Sequence, residues 1–213
     1  MIRSISLALC LLLFGILSAG NAQESPPYKR IACVGDSITH GGYPQQLAVL
    51  FKNAVEVGNF GVGGATLLNS GDKPYQKQKA FKDALSYNAD CVIIMLGTND
   101  SKPQNWKNKD QFAADYLDLI QKFKSLPNHP RIFICYPPLV ANQGKYGINE
   151  AGVREEMADI DSIAKSENLP LIDMHSPFLG KESLFGDNVH PNAKGQELLA
   201  RTAYKALTGK EPQ

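Results

Sequence analysis

Short apolar runs rich in β-branched residues alternate along the chain with longer stretches whose apolar positions recur at helical spacing. The strand-like runs are 31–34, 55–57, 91–96, 132–135 and 171–172. Phe112, Tyr116, Leu117, Ile120 and Phe123 fall at near-helical intervals and predict a helix over 112–124. Segments 43–53, 150–166 and 193–207 read the same way, and 75–86 carries the pattern less regularly. Strand and helix in alternation predict a parallel sheet covered on both faces. Continuously apolar strands fit burial on both sides. There is no internal repeat and no low-complexity stretch, so one domain fills 23–213, packed from about Tyr28 to Leu207.

The first 22 residues follow another pattern. Arg3 precedes an almost wholly apolar run over 5–17, and Gly20-Asn21-Ala22 puts small residues where a signal peptidase reads them. This predicts a secretory signal peptide (1–22) and a secreted or periplasmic protein. The run is short for a bilayer span, and no later segment is apolar enough to cross one, so no stable membrane anchor is expected. Loss of Arg3 would leave 21 basic against 21 acidic side chains. A neutral chain argues against a nucleic-acid partner held through phosphates. Cys33, Cys91 and Cys135 each lie in a strand-like run, without CxxC spacing. They read as small core residues, neither a disulfide framework nor a zinc site, with a Cys33–Cys91 bridge left open. No HExxH or HxH pair is present, and no metal is expected.

Chemistry-bearing residues gather after the strands. Gly35-Asp36-Ser37-Ile38-Thr39 follows the first, the 59–64 segment the second, and Gly97-Thr98-Asn99-Asp100 the third. A late loop reads Asp187-Asn188-Val189-His190-Pro191. In open parallel sheets, ligands bind beyond the carboxyl ends of the strands. Acyl transfer needs a nucleophile, a base, a group that orients the base and donors for the oxyanion. Ser37 fits the first role. His190 fits the second, with Asp187 three residues earlier to fold back onto its Nδ1. The backbone N–H groups of Ser37 and Gly64 and the side-chain amide of Asn99 fit the last. His175, near Asp173, is the main rival base. His40 reads as a rim residue and His129 as part of a polar turn.

These four blocks together resemble the SGNH, or GDSL, hydrolase superfamily. The first reads Val34-Gly35-Asp36-Ser37-Ile38-Thr39, with Ile38 where the name has Leu. The distance from Asn59 places the family's oxyanion glycine at Gly64, with Gly63 as the competing choice. The third block places its asparagine at Asn99, and the fourth supplies Asp187 and His190. The resemblance implies a three-layer α/β/α, flavodoxin-like fold with five parallel strands. It also implies an esterase working through an acyl-serine, without a cofactor. Polar loops suggest carbohydrate esters, with Tyr75 and Trp106 as candidate sugar platforms and Asp36 as a further candidate substrate contact. Within the family the chain is similar to secreted bacterial esterases related to sialate and xylan O-acetylesterases. A lysophospholipase, arylesterase or thioesterase, an O-acetyltransferase and a non-catalytic carbohydrate-binding protein stay open as alternatives.

Overall fold

The structure is a computed structural model and describes residues 26–142 and 144–212. The expected signal peptide lies outside the described residues. In chain order the main elements are β1 (Arg30–Gly35), α1 (Ser37–His40), α2 (Tyr43–Leu50), β2 (Glu56–Gly61), α3 (Lys79–Ser86) and β3 (Cys91–Met95). They continue with α4 (Pro103–Trp106), α5 (Phe112–Lys124), β4 (Arg131–Cys135), α6 (Glu150–Ser166), β5 (Leu171–Ile172) and α7 (Ala193–Thr208). The five strands form one parallel sheet in the order β2-β1-β3-β4-β5.

Side chains alternate across a strand, and here both faces are dry. Ile31, Cys33, Cys91, Ile93 and Met95 face a core shared with Tyr43 and Leu47 of α2 and Leu199, Ala200 and Ala203 of α7. Ala32, Val34, Val92 and Ile94 face the opposite core, with Phe81 of α3, the α5 stripe from Phe112 to Phe123, and Ile160 and Ile163 of α6. Full burial of such a side chain contributes roughly 1.5–3 kcal/mol, so the two apolar layers dominate the stability of the sheet. The three-layer α/β/α arrangement matches the expectation. Among the described residues, Cys33, Cys91 and Cys135 are free and buried, so no Cys33–Cys91 bridge exists.

Three boundaries differ from the pattern. The second strand starts at Glu56 and runs on through Gly61. It is an edge strand with half-exposed positions, so its polar residues hid its length. The helix expected over 43–53 stops at Leu50, because Lys52 and Asn53 take left-handed φ angles of 53° and 57°. The 75–86 segment divides into a 3₁₀ turn, Tyr75–Lys77, and α3. Among the described residues no helix is long and apolar enough to cross a membrane.

Candidate active site

The turn after β1 is built around a cap. Asp36 is the N-cap of α1, its Oδ1 accepting the Ile38 N–H at 2.8 Å. The cap fixes the first turn and so presents Ser37, the first residue of α1, at the carboxyl edge of the sheet. From β2, Asn59 Nδ2 donates to the Thr39 carbonyl at 3.0 Å and ties down the far end of α1.

The late loop meets this turn across 153 residues of chain. Ser37 Oγ lies 2.8 Å from His190 Nε2. His190 Nδ1 lies 2.9 Å from Asp187 Oδ2, while Asp187 Oδ1 accepts the backbone N–H of His190 at 2.8 Å and of Val189 at 3.2 Å. One carboxylate therefore orients both the ring and its backbone. Burial raises the Asp187 pKa, but the hydrogen bonds from the His190 backbone, the His190 ring and Val189 outweigh it, and the net shift is downward. The carboxylate stays charged at neutral pH and favours the Nδ1–H tautomer, which leaves Nε2 free to accept the Ser37 proton. An antiparallel bridge between Phe185 and Pro191, with Gly186 N–H donating to the His190 carbonyl at 3.0 Å, closes the loop at its base.

The segments after β2 and β3 are laced together. Asn99, 3% exposed, donates from Nδ2 to the Ala65 carbonyl at 3.1 Å and lies 3.5 Å from Asp36 Oδ2. The bond to Ala65 uses one of the two amide hydrogens, and the long contact to Asp36 engages the other. Gly64, next to Ala65, sits at φ 76°, a conformation glycine adopts without a Cβ penalty. Asp100 is fully buried and accepts the N–H groups of Leu67 and Leu68 at 2.9 and 2.8 Å. Desolvation above all raises Asp100 to about 7 and Asp36 to about 6, against the pull of their backbone hydrogen bonds.

Some expected site residues lie elsewhere. Tyr75 is wholly buried: its hydroxyl donates to the Phe60 carbonyl at 2.8 Å and its ring meets Phe81 edge-on, which corrects the reading of Tyr75 as a sugar platform. Asp36 is 1% exposed and spends Oδ1 on its cap, so it is a support of α1 and not a surface presented to substrate. Trp106 meets Phe112 edge-on, and its Nε1 donates to Glu155 at 2.8 Å. It lines a groove of about 280 Å³ with Pro103, Asn149 and Gly152, between α4 and the start of α6. His175, the rival base, is 3% exposed and lies 2.8 Å from Glu150 Oε1, through the same Nε2 that a base would need. His40 and His129 are exposed.

Gln196 escaped the sequence reading. Its Oε1 accepts the Tyr43 N–H at 2.8 Å, and its Nε2 reaches the carbonyls of Ile38 and Pro191 at 3.3 and 3.4 Å. Ile38 follows Ser37 and Pro191 follows His190, so one buried amide clasps both halves of the site. Its signal was a polar residue in the apolar stripe of α7, in step with Leu199, Ala200 and Ala203. Among the described residues, no cluster of three or more His, Cys, Asp or Glu side chains is placed to hold a metal ion.

A family model described as GDSL-like lipase/acylhydrolase matches residues 33–198. The chain belongs to the GDSL-like lipase/acylhydrolase family. This GDSL-family chain is 35% identical over 206 residues to an acetylxylan esterase of Xylanibacter ruminicola, covering 84% of this chain and 43% of that protein. It spans under half the length of the two curated relatives it matches. The fold is shared with a solved acetyl xylan esterase, AlAXEase, at a TM-score of 0.68 and 22% identity, covering 84% of this chain and 99% of that one. A catalytic mutant of the acetylxylan esterase Axe2 from Geobacillus stearothermophilus has a TM-score of 0.68 at 19% identity, with 84% and 94% covered. The departure from the family name at Ile38 is conservative, since that side chain is 1% exposed inside the core.

Proposed function

We propose that this chain is a serine esterase that removes small acyl groups, chiefly acetyl, from carbohydrates. The contact that carries this reading is the 2.8 Å approach of Ser37 Oγ to His190 Nε2, with Asp187 behind the ring. In the proposed cycle, His190 Nε2 takes the Ser37 proton as Oγ attacks the ester carbonyl. The negative charge moves to the carbonyl oxygen, where the N–H groups of Ser37 and Gly64 receive it together with the Asn99 amide hydrogen that turns from its long contact with Asp36. Asp187 stabilises the imidazolium. His190 then protonates the departing sugar oxygen as the tetrahedral species collapses to acyl-Ser37. Water, deprotonated by the same Nε2, attacks the acyl carbon, and the carboxylic acid leaves as Oγ recovers its proton.

The choice of acetyl and carbohydrate is supported by the acetylxylan esterase among the relatives and by the polar loops around the site. Export through the signal sequence at 1–22 fits a substrate outside the cell and belongs to the same proposal. The test is acetate release from acetylated xylan, acetylated sialic acids and simple acetylated sugars, beside p-nitrophenyl esters of short and long chains. Wild type should release acetate and favour the acetyl ester, and Ser37→Ala should be inactive with its fold intact. A preference for long chains would overturn the acetylesterase reading. Acetyl transfer to a sugar hydroxyl in place of water would redefine the enzyme as a transferase, and unchanged turnover in Ser37→Ala would remove the nucleophile.

A further inference from the structure

The Asp187–His190 turn has a support that the proposed chemistry never touches. Glu150 opens α6 with a carboxylate held by three donors. Oε1 accepts from His175 Nε2 at 2.8 Å and from Arg154 Nε at 2.7 Å. Oε2 accepts the Val140 N–H at 2.9 Å. The next residue, Ala141, donates its N–H to the Asn188 carbonyl at 2.8 Å. The Val140 side chain closes an apolar cluster with Ile148, Val153 and Val189. Asn188 and Val189 are the two residues between Asp187 and His190. A continuous path therefore runs from the Glu150 carboxylate, through a strap at 139–141, to the acid–base turn.

The turn has a physical need for such a strap. Asn188 sits at φ 68°, a left-handed conformation that a non-glycine residue holds at some cost. The far end of the path is equally fixed. His175 is buried, and its backbone N–H and that of Ser176 donate to Asp173 Oδ1 at 2.9 and 2.8 Å. Burial raises the Glu150 pKa, but hydrogen bonds from His175, the Val140 N–H and Arg154 prevail and lower it, so the brace is charged at neutral pH.

We infer that Glu150 is a positioning residue for the reaction: it anchors the 139–141 strap and thereby keeps Asp187 in hydrogen-bond register with His190 Nδ1. This rests on the acid–base roles proposed above for Asp187 and His190. A displacement of reacting groups of the order of 1 Å costs up to about a hundredfold in rate. Glu150→Ala should therefore lower kcat about ten- to a hundredfold with KM within about twofold. The acid limb of kcat/KM should move to lower pH, because a loosened Asp187 stabilises the imidazolium less. The groups facing Glu150 are His175 from the loop after β5 and Arg154 on its own helix; Asp187 and Asp36 act on His190.

The experiment measures kcat, KM and the pH profile on p-nitrophenyl acetate for Glu150→Ala, Glu150→Gln and, as a control, Lys79→Leu. It adds melting temperatures and the downfield Nδ1–H proton resonance of His190. Glu150→Gln keeps one carbonyl acceptor and should recover part of the rate, which settles the matter if the alanine variant folds poorly. Lys79 is exposed on α3, pairs with Asp83 and lies off the path from Glu150 to the strap, so Lys79→Leu should match wild type. Glu150 variants with wild-type kcat, acid limb and Nδ1–H resonance would overturn the inference, whatever their melting temperature. Absence of Ser37-dependent hydrolysis in wild type would instead strike the esterase reading, and the Nδ1–H resonance would still report on the brace.

Discussion

Replacing Glu156 by methionine should stabilise this protein, and the gain should grow as pH rises. Glu156 lies in the buried stripe of α6 between Val153 and Ile160 and is 0% exposed. Neither carboxyl oxygen has a hydrogen-bond partner among the described residues. Oε2 lies so close to Gly97, at φ 128°, that a Cβ there would come within 2.3 Å of it. Desolvation first, then the charges of Asp100 and Asp36, push its pKa well above the usual carboxylate range. The folded state therefore holds a proton that the unfolded chain releases near pH 4.5. Stability associated with that proton is present at low pH and is lost as pH rises, by at most about 1.4 kcal/mol per unit, until the folded group ionises. Each unsatisfied polar atom costs about 1–3 kcal/mol. Methionine has a similar length and neither oxygen, so the gain at pH 7 should be about 2–6 kcal/mol for the two atoms. At about 2–4 °C per kcal/mol for a chain of this size, the melting temperature rises by about 4–24 °C. Urea denaturation of both proteins at pH 5, 7 and 9 measures the gap. A less stable methionine variant at pH 7, or a gap that stays constant with pH, would refute the reasoning.

Three further outcomes follow from the site. Asn99→Ala should lower kcat by about 10²–10³ on p-nitrophenyl acetate with little change in KM, and a loss below about fivefold would remove Asn99 from the oxyanion site. Asp187→Asn should fold normally yet lose about 10⁴ in kcat, because the amide N–H faces Nδ1 and forces the proton onto Nε2; near-normal turnover would show that the tautomer does not matter. Gln196→Leu orphans the buried Tyr43 N–H and should cost about 1–3 kcal/mol in urea denaturation. Gln196→Glu keeps that acceptor but loses both donors, so it should retain more stability while still turning over slowly. Equal kcat for Gln196→Glu and wild type would show that the clasp does not align the site.

The strands buried on both faces were legible because burial on two sides demands an unbroken apolar run, and β1, β3 and β4 supply one. The edge strand β2 was not: Glu56, Gly58, Asn59 and Gly61 are compatible with a loop, and only pairing with β1 makes them a strand. The blocks holding Ser37, Asn99, Asp187 and His190 could be read because each residue type has a chemical role and the spacing of 187 and 190 is local. Tyr75 was misplaced because a tyrosine in a polar loop looks available, whereas its hydroxyl finds the Phe60 carbonyl inside the fold. Gln196 and Glu150 were invisible as supports, since their partners at Tyr43, Ile38, Val140 and His175 are near them only in space.

The hydroxyl and the imidazole that meet at 2.8 Å come from opposite ends of the domain, and the run 179–183 just ahead of the histidine loop is exposed throughout. A cut in that run divides the domain into a large piece carrying Ser37, the proposed nucleophile, and a small piece carrying His190, the proposed base, with α7 as its docking element. Neither fragment alone contains a working set of groups. Mixing the two becomes a reporter in which hydrolysis reads out reassembly.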